Sequence, residues 1–235
     1  MSHDRLPPTG GRGAPLLHRL SAGLVVSVQP VDGGPMDDDD TVVRMARAAV
    51  DGGAAGLRIE GAARVAAVRR AVTVPIVGIV KRDLPGFSVR ITPGLEDVQA
   101  LLAAGADIVA LDATMRDRPV PVADLLGAVH RGGAVAMADA SNAQDGLAAL
   151  ALGFEIIGTT LSGYTEASVP EEPDLALVAV LAGAGAWVMA EGRYQTPQQV
   201  VAARAAGARA VTVGSALTRL ELATAKLAAA VRAGP

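Results

Sequence analysis

The chain of 235 residues contains no cysteine. That absence excludes disulfides, thiolate metal sites and a cysteine nucleophile, and it is compatible with a cytoplasmic setting. Aromatic residues are nearly as scarce, with two Phe, two Tyr and one Trp. Stacking platforms for single-stranded nucleic acid need more rings than that. The formal net charge is −3, so no excess of either sign points to nucleic acid or to an anionic membrane. No apolar run approaches the ~20 residues of a membrane span. The opening stretch MSHDRLPPTGGRGAP lacks the apolar core of a signal peptide.

Small aliphatic residues are abundant instead. Apolar residues make up 51% of the chain and charged residues 19%, which suits a well-filled globular core rather than disorder. Short runs apolar on both faces recur at 24–28, 55–59, 75–80, 108–111, 134–138, 156–158, 187–190 and 210–213. Such runs are what a parallel sheet covered by helices requires. Between them lie stretches such as TVVRMARAAVDGG and PQQVVAARAAGA, apolar at helical spacing and ending on Gly. AAGADIVALD and AAGARAVTVG repeat one logic of helix end, glycine turn and buried strand. Eight strand–helix units predict an α/β protein, a (β/α)8 barrel. The rival is an open doubly wound sheet, disfavoured because no G-x-G-x-x-G follows the first strand. Residues 1–20 are expected to form a flexible lead-in with a short helix, and residues 21–235 the single barrel domain.

In such a barrel the chemistry sits at the C-terminal ends of the strands. Reading along the chain, those ends carry Gln29, Arg58, Lys81, Asp112, Asp139, Thr159 with Thr160, Glu191, and Gly214 with Ser215. His3 and His18 precede the first strand and His130 lies in a helix, so no histidine ends a strand and a histidine-based metal site or base is disfavoured. Proton transfer is left to Lys81, Asp112, Asp139 and Glu191. A lysine in a barrel mouth beside Arg82 is expected to have a lowered pKa. That suits a general base and equally a Schiff-base nucleophile. Arg58 is placed to stabilise an enolate oxygen. AEGR and VGSALTR put Gly192, Arg193, Gly214, Ser215 and Arg219 after the last two strands, where barrels often bind phosphate. Ser215 is expected to cap the short helix there. The long segment 159–173, with Tyr164, reads as a lid. The acidic run at 37–40 reads as the first turn of a helix. Arg116 and Arg118 are expected to pair within their loop with Asp117 or Asp124, or to reach the substrate or a neighbouring subunit.

The motifs VSVQP, GIVKRD, ITP, DIVALDATMRDRP, MAD, GTTLSGYT, AEGR and VGSALTR, in that order from about Leu24 to Arg219, resemble the N-acetylmannosamine-6-phosphate 2-epimerases. The resemblance implies a (β/α)8 barrel that interconverts N-acetylmannosamine 6-phosphate and N-acetylglucosamine 6-phosphate in amino-sugar or sialic-acid catabolism. It implies Lys81 and Glu191 as catalytic residues, Arg58 and Asp139 as active-site partners, and Gln29 as a substrate contact. It places phosphate at the glycines and Arg219 of the last two units. Asp112, Thr159 and Tyr164 complete the expected sugar site. No cofactor or metal is required by that chemistry. The expected partner is a phosphorylated N-acetyl amino sugar, with no nucleic acid and no membrane, and a homodimer stays open. Three stretches depart from the family pattern: RIEG with Glu60 where Asn is frequent, the segment PVDGGPMDDDD, and YQTP. A Schiff-base lyase or aldolase, and a phosphosugar-binding regulator without catalysis, are the competing functions.

Overall fold

The computed structural model describes residues 13–165 and 168–233. The first twelve residues of the expected lead-in lie outside them. Helix α1 (Gly13–Leu20) comes first, followed by eight strands: β1 (Leu24–Val28), β2 (Gly56–Glu60), β3 (Ile76–Ile79), β4 (Ile108–Asp112), β5 (Val135–Asp139), β6 (Ile156–Gly158), β7 (Val188–Glu191) and β8 (Ala210–Val213). Each strand pairs in parallel with the next, and β8 pairs with β1, so the sheet closes. The connections carry α2 (Asp39–Asp51), α3 (Ala62–Arg69), α4 (Leu95–Ala103), α5 (Val122–Arg131), α6 (Ala143–Leu152), α7 (Leu175–Gly183) and α8 (Pro197–Ala205). After β8 come the one-turn α9 (Ser215–Thr218) and the longer α10 (Leu220–Ala233). This is the (β/α)8 barrel, and the open-sheet alternative is excluded by the β1–β8 pairing.

Strand side chains alternate in direction, so the register sorts them into two sets. Outward residues such as Val26, Leu57, Val109, Ala136, Ile157 and Val211 join the helices in the outer core. Inward residues form a separate cluster of Val25, Val77, Ile79, Ile108, Ala110, Val135, Met137, Ile156, Trp187, Met189 and Ala210. Leu17 and Leu20 of α1 belong to that inner cluster and are fully buried. Full burial of a leucine stabilises by roughly 1.5–3 kcal/mol. Helix α1 therefore serves the barrel interior, filling it from the N-terminal side of the strands.

The acidic run begins α2 as expected of it. Asp38 is the N-cap and accepts from Thr41 N at 2.8 Å, while Asp39 and Asp40 occupy the first turn. Asp37 accepts from Gly33 N and holds Arg64 of α3 at 2.8 Å. The backbone bond from Gly33 is the main cause that lowers its pKa, with Arg64 next.

Candidate active site

The alternation that fills the lower barrel with apolar groups brings polar ones to its upper mouth. Continuing the inward set gives Ser27 on β1, Arg58 and Glu60 on β2, Asp112 on β4, Asp139 on β5, Glu191 on β7 and Thr212 on β8. Lys81 comes two residues beyond Ile79, and Thr160 two beyond Gly158. These residues, Asp139 excepted, line a cavity of about 790 Å³ together with Gln29, Tyr164, Gly192, Arg193, Gly214, Ser215 and Arg219.

Arg58 is expected at the end of its strand, but it sits at the middle of β2, with Glu60 at the end. Its side chain is 1% exposed and crosses the barrel. Nη2 donates to Asp139 Oδ2 at 2.6 Å and Nη1 to Oδ1 at 3.1 Å, a two-pronged pair. Nη1 also lies 3.2 Å from Glu191 Oε2. Burial opposes the guanidinium charge most strongly, but Asp139 and then Glu191 outweigh it, and the Arg58 pKa is raised. Gly158 makes room for this pair. A Cβ there would stand 2.4 Å from Met137 Cε and 3.3 Å from Asp139 Oδ1.

Glu191 is held from two sides. Thr160 Oγ1 bridges Asp139 Oδ1 at 2.6 Å and Glu191 Oε2 at 3.2 Å. Thr159 is a backbone clamp: its hydroxyl donates to Glu191 O at 2.8 Å and accepts from Glu191 N at 3.0 Å. It is buried and absent from the cavity wall, which Thr160 lines instead. Burial is the largest influence on the Glu191 carboxyl and raises its pKa. Arg58 opposes this, and Asp139 reinforces it.

On the other side of the mouth, Lys81 Nζ donates to Gln29 Oε1 at 2.5 Å and lies 3.0 Å from Glu60 Oε2. The neighbouring Arg82 also borders the cavity, but its guanidinium is engaged by anions of its own. Arg82 turns to Glu96, at 2.8 Å, and to Asp97 on α4. Successive residues on an extended chain point to opposite sides. The like charge proposed to act on Lys81 is therefore directed elsewhere, and its neighbour is an anion. Strands β3 and β7 stand four apart in a ring of eight, so the Lys81 and Glu191 backbones face each other across the barrel.

Asp112 is 1% exposed and already engaged. Arg116 Nη2 approaches its Oδ2 at 2.7 Å, Arg118 Nη2 its Oδ1 at 3.5 Å, and Thr114 Oγ1 donates at 2.7 Å. The two arginines thus pair with Asp112 rather than with Asp117 or Asp124. At the far end, Gly214 precedes α9 without any side-chain cap, so Ser215 is the first residue of the helix and not its cap. Arg219 Nε donates to Gln29 O at 3.0 Å, tying the end of α9 to the end of β1. Gly192 adopts φ 109°, open to glycine, and Arg193 follows at φ 64°. The Arg193 guanidinium bonds Ser162 O and Glu172 O and stacks 5.6 Å from the centroid of Tyr164. Thr160, named from the sequence as a strand ending, and Arg116, for which a reach to the substrate is one expectation, line the cavity, as do Ser27, Glu60, Arg90 and Thr212. Counting inward positions by twos along each strand would have found Ser27, Glu60 and Thr212. Among the described residues no three His, Asp or Glu side chains group as metal ligands.

A closed parallel barrel whose mouth holds opposed acid–base groups around a buried arginine is an enzyme architecture for a small polar molecule. Comparison with known proteins narrows the class. The family profile described as "Putative N-acetylmannosamine-6-phosphate epimerase" matches residues 42–233. A protein of Yersinia pestis (strain Pestoides F) named "Putative N-acetylmannosamine-6-phosphate 2-epimerase" is 61% identical over 206 residues, 88% of each chain. One of the same name from Yersinia pseudotuberculosis serotype O:1b (strain IP 31758) is equally similar. The solved N-acetylmannosamine-6-phosphate 2-epimerase from Clostridium perfringens superimposes with a TM-score of 0.89 at 35% identity, covering 94% of this chain and 98% of that one. A thiamine phosphate pyrophosphorylase from Pyrococcus furiosus, 15% identical with a TM-score of 0.61, shares the fold alone. The chain belongs to the N-acetylmannosamine-6-phosphate 2-epimerase family, an isomerase family. The lyase and regulator alternatives are not favoured by these relatives.

Proposed function

We propose that the protein interconverts N-acetylmannosamine 6-phosphate and N-acetylglucosamine 6-phosphate by removing and returning the proton on C2, a step of amino-sugar and sialic-acid breakdown in the cytoplasm. In the open-chain sugar C2 lies α to the C1 aldehyde. Breaking the C2–H bond sends its electrons into an enolate, and a proton delivered to the other face inverts the carbon. The observation that carries this reading is the opposition of Lys81 and Glu191 across the mouth, with Arg58 between the strands that bear them. Two proton-transfer groups on two sides of one carbon are what an inversion needs. A raised carboxyl pKa makes Glu191 a better base. Each acid–base group of this kind contributes about 10² to 10⁴ in rate.

Arg58 and Asp139 form the polar floor against which the C1 oxygen would rest, and a donor aimed at a developing enolate is worth a comparable factor. Gln29, Tyr164 and Thr160 would contact the sugar, and Asp112 would act through Arg116 by holding it at the wall. Gly192, Arg193, Gly214, Ser215 and Arg219 would receive the phosphate. Binding that group away from C2 fixes the sugar in register. The proposal extends to a homodimer. No residue of helix α10 is buried as a whole within the described chain, although the Glu221 carboxylate oxygens are, and the helix exposes Leu220, Leu227 and Val231 at helical spacing. A second copy of this chain is the occupant that this stripe favours.

The test is proton NMR of the purified protein with N-acetylmannosamine 6-phosphate in D2O. N-acetylglucosamine 6-phosphate is expected, with deuterium at C2. Absence of both product and C2 exchange would overturn the reading.

A further inference from the structure

The segment after β4, DATMRDRP, folds back on the strand that it leaves. Asp112 ends β4 with its side chain buried, and Arg116 and Arg118 both return to it. Nη2 of Arg116 donates to Asp112 Oδ2 at 2.7 Å, Nε to Thr114 Oγ1 at 2.9 Å, and Nη1 to Ser88 O at 3.1 Å. The Thr114 hydroxyl in turn donates to Asp112 Oδ1 at 2.7 Å. Ser88 belongs to a ribbon after β3, in which Lys81 pairs with Ile91 and Leu84 with Phe87 in antiparallel fashion. The guanidinium is therefore fixed between two neighbouring segments of the rim. A guanidinium has five N–H groups. Three of them are taken up here, and the other two have no acceptor among the described residues. The Arg116 side chain is 29% exposed and lines the cavity, so those two donors are open to a ligand.

Arg116 differs from Arg219 in what it can hold. Arg219 bonds a carbonyl, Gln29 O, and pairs with no carboxylate among the described residues. Its charge is left for an anion, which suits the phosphate end. The charge of Arg116 is offset by Asp112 at 2.7 Å. Arg118, the second cation at Asp112, also feels Asp145, whose carboxylate accepts from Met115 N in the same loop. Two arginines thus stand against two carboxylates. Such a cluster keeps strong donors without a surplus charge, and a neutral acceptor suits it better than a phosphate. Its place agrees with this. Strands β4 and β8 stand four apart in the ring of eight, so the Arg116 loop lies across the mouth from Gly214 and Ser215. A sugar with its phosphate at β8 and C2 between β3 and β7 turns the other substituents of C2 toward the β2–β5 side. The C1 oxygen has Arg58 and Asp139 there. The acetamido group is left for Arg116.

We propose that Arg116 recognises the N-acyl group of the substrate, its two open N–H groups donating to the acetamide carbonyl oxygen. Asp112, Thr114 and Ser88 are the residues that hold it in place. The inference rests on the function proposed above and assigns the part of that site which selects an N-acylated sugar. The acyl carbonyl keeps its bonds while C2 reacts, so the contact is the same in substrate, enolate and product. It therefore sets affinity and selectivity and leaves the rate of proton transfer alone. A hydrogen bond from a charged donor is worth about 10- to 100-fold in affinity. A phosphosugar with a hydroxyl at C2 has no carbonyl there and forgoes that gain.

The test is calorimetric titration of wild type, Arg116→Met and Arg116→Lys with N-acetylglucosamine 6-phosphate and with glucose 6-phosphate. Arg116→Met keeps the length of the side chain and removes every donor. Arg116→Lys keeps a cation opposite Asp112 but lacks the planar fork. It carries the test if thermal unfolding shows that the methionine variant does not fold. Affinity for N-acetylglucosamine 6-phosphate is expected to fall about 10- to 100-fold in Arg116→Met and at least about threefold in Arg116→Lys. Affinity for glucose 6-phosphate should stay within about threefold of wild type in both. With N-acetylmannosamine 6-phosphate as substrate, KM should rise while kcat stays within about threefold. A residue that merely latches the loop would weaken both ligands alike. Three outcomes overturn the proposal: N-acetylglucosamine 6-phosphate bound within about twofold of wild type by the folded variants, equal losses for the two ligands, or a fall in kcat at unchanged KM. A wild type that prefers the N-acetyl ligand yet does not epimerise would instead overturn the function proposed above, with the acyl contact left standing.

Discussion

Asp139 accepts from both Nη atoms of Arg58 in the barrel interior, where neither group reaches water. Such a pair adds little net stability over an apolar core, but breaking it leaves a charge stranded. Asp139→Asn preserves the outline and removes the charge. It is expected to cost about 3–5 kcal/mol and to abolish epimerisation, as read by denaturant unfolding and by sugar NMR. Glu191 makes a pH prediction. Burial raises its pKa above the ordinary 4.5, so the base is lost to protonation at a higher pH than a free carboxylate would be. The acid limb of kcat/KM is expected above pH 4.5, and a limb at or below that value would refute the assignment of Glu191 as base. The sign for stability is the opposite one. A raised folded-state pKa favours the fold below the unfolded value, and that contribution fades as pH rises through the raised pKa. Acid unfolding is therefore not expected to originate at Glu191. Lys81, Glu191, Asp139 and Arg58 were all visible in the sequence as polar endings of apolar runs. Their partners were not. Arg82 adjoins Lys81 in the chain yet faces α4, and Glu60, remote in sequence, faces Lys81.

At the scale of elements, β6 is the shortest strand, and its upper inward residue, after Ile156, is a glycine. Gly158 stands beside Met137, Asp139 and Thr160, which leaves no ordinary space for a methyl group. Gly158→Ala is expected to destabilise by about 1–3 kcal/mol, as over-packing does, and to lower kcat by displacing Thr160 from Asp139 and Glu191. Wild-type kcat in that variant would show that the Thr160 bridge is dispensable. Strand and helix positions were legible because the repeating apolar runs and glycine stops encode them. The cap of α9 was misjudged because Ser215 suits a cap by type, whereas the backbone turns into the helix one residue earlier, at Gly214. Thr159 and Thr160 were inseparable by type as well. Only the direction of each side chain makes one a clamp on the Glu191 backbone and the other a wall of the cavity.

For the whole molecule, the exposed stripe on α10 makes the proposed dimer testable. Leu227→Lys with Val231→Lys should convert a dimer to a monomer in sedimentation velocity. A wild type that sediments as a monomer would remove the dimer from the proposal. The composition, the eight apolar runs and their helical spacers were enough to specify a closed barrel with a polar mouth, because burial periodicity is a local property of the chain. The order of motifs was enough to place the chain in its family. Which charges meet was decided only when the sheet closed. Closure brings β2 beside β3 and across from β5 and β7, so Glu60 meets Lys81 while Arg58 meets Asp139 and Glu191. Contacts of that kind span up to 133 residues of sequence, from Arg58 to Glu191, and no local pattern encodes them.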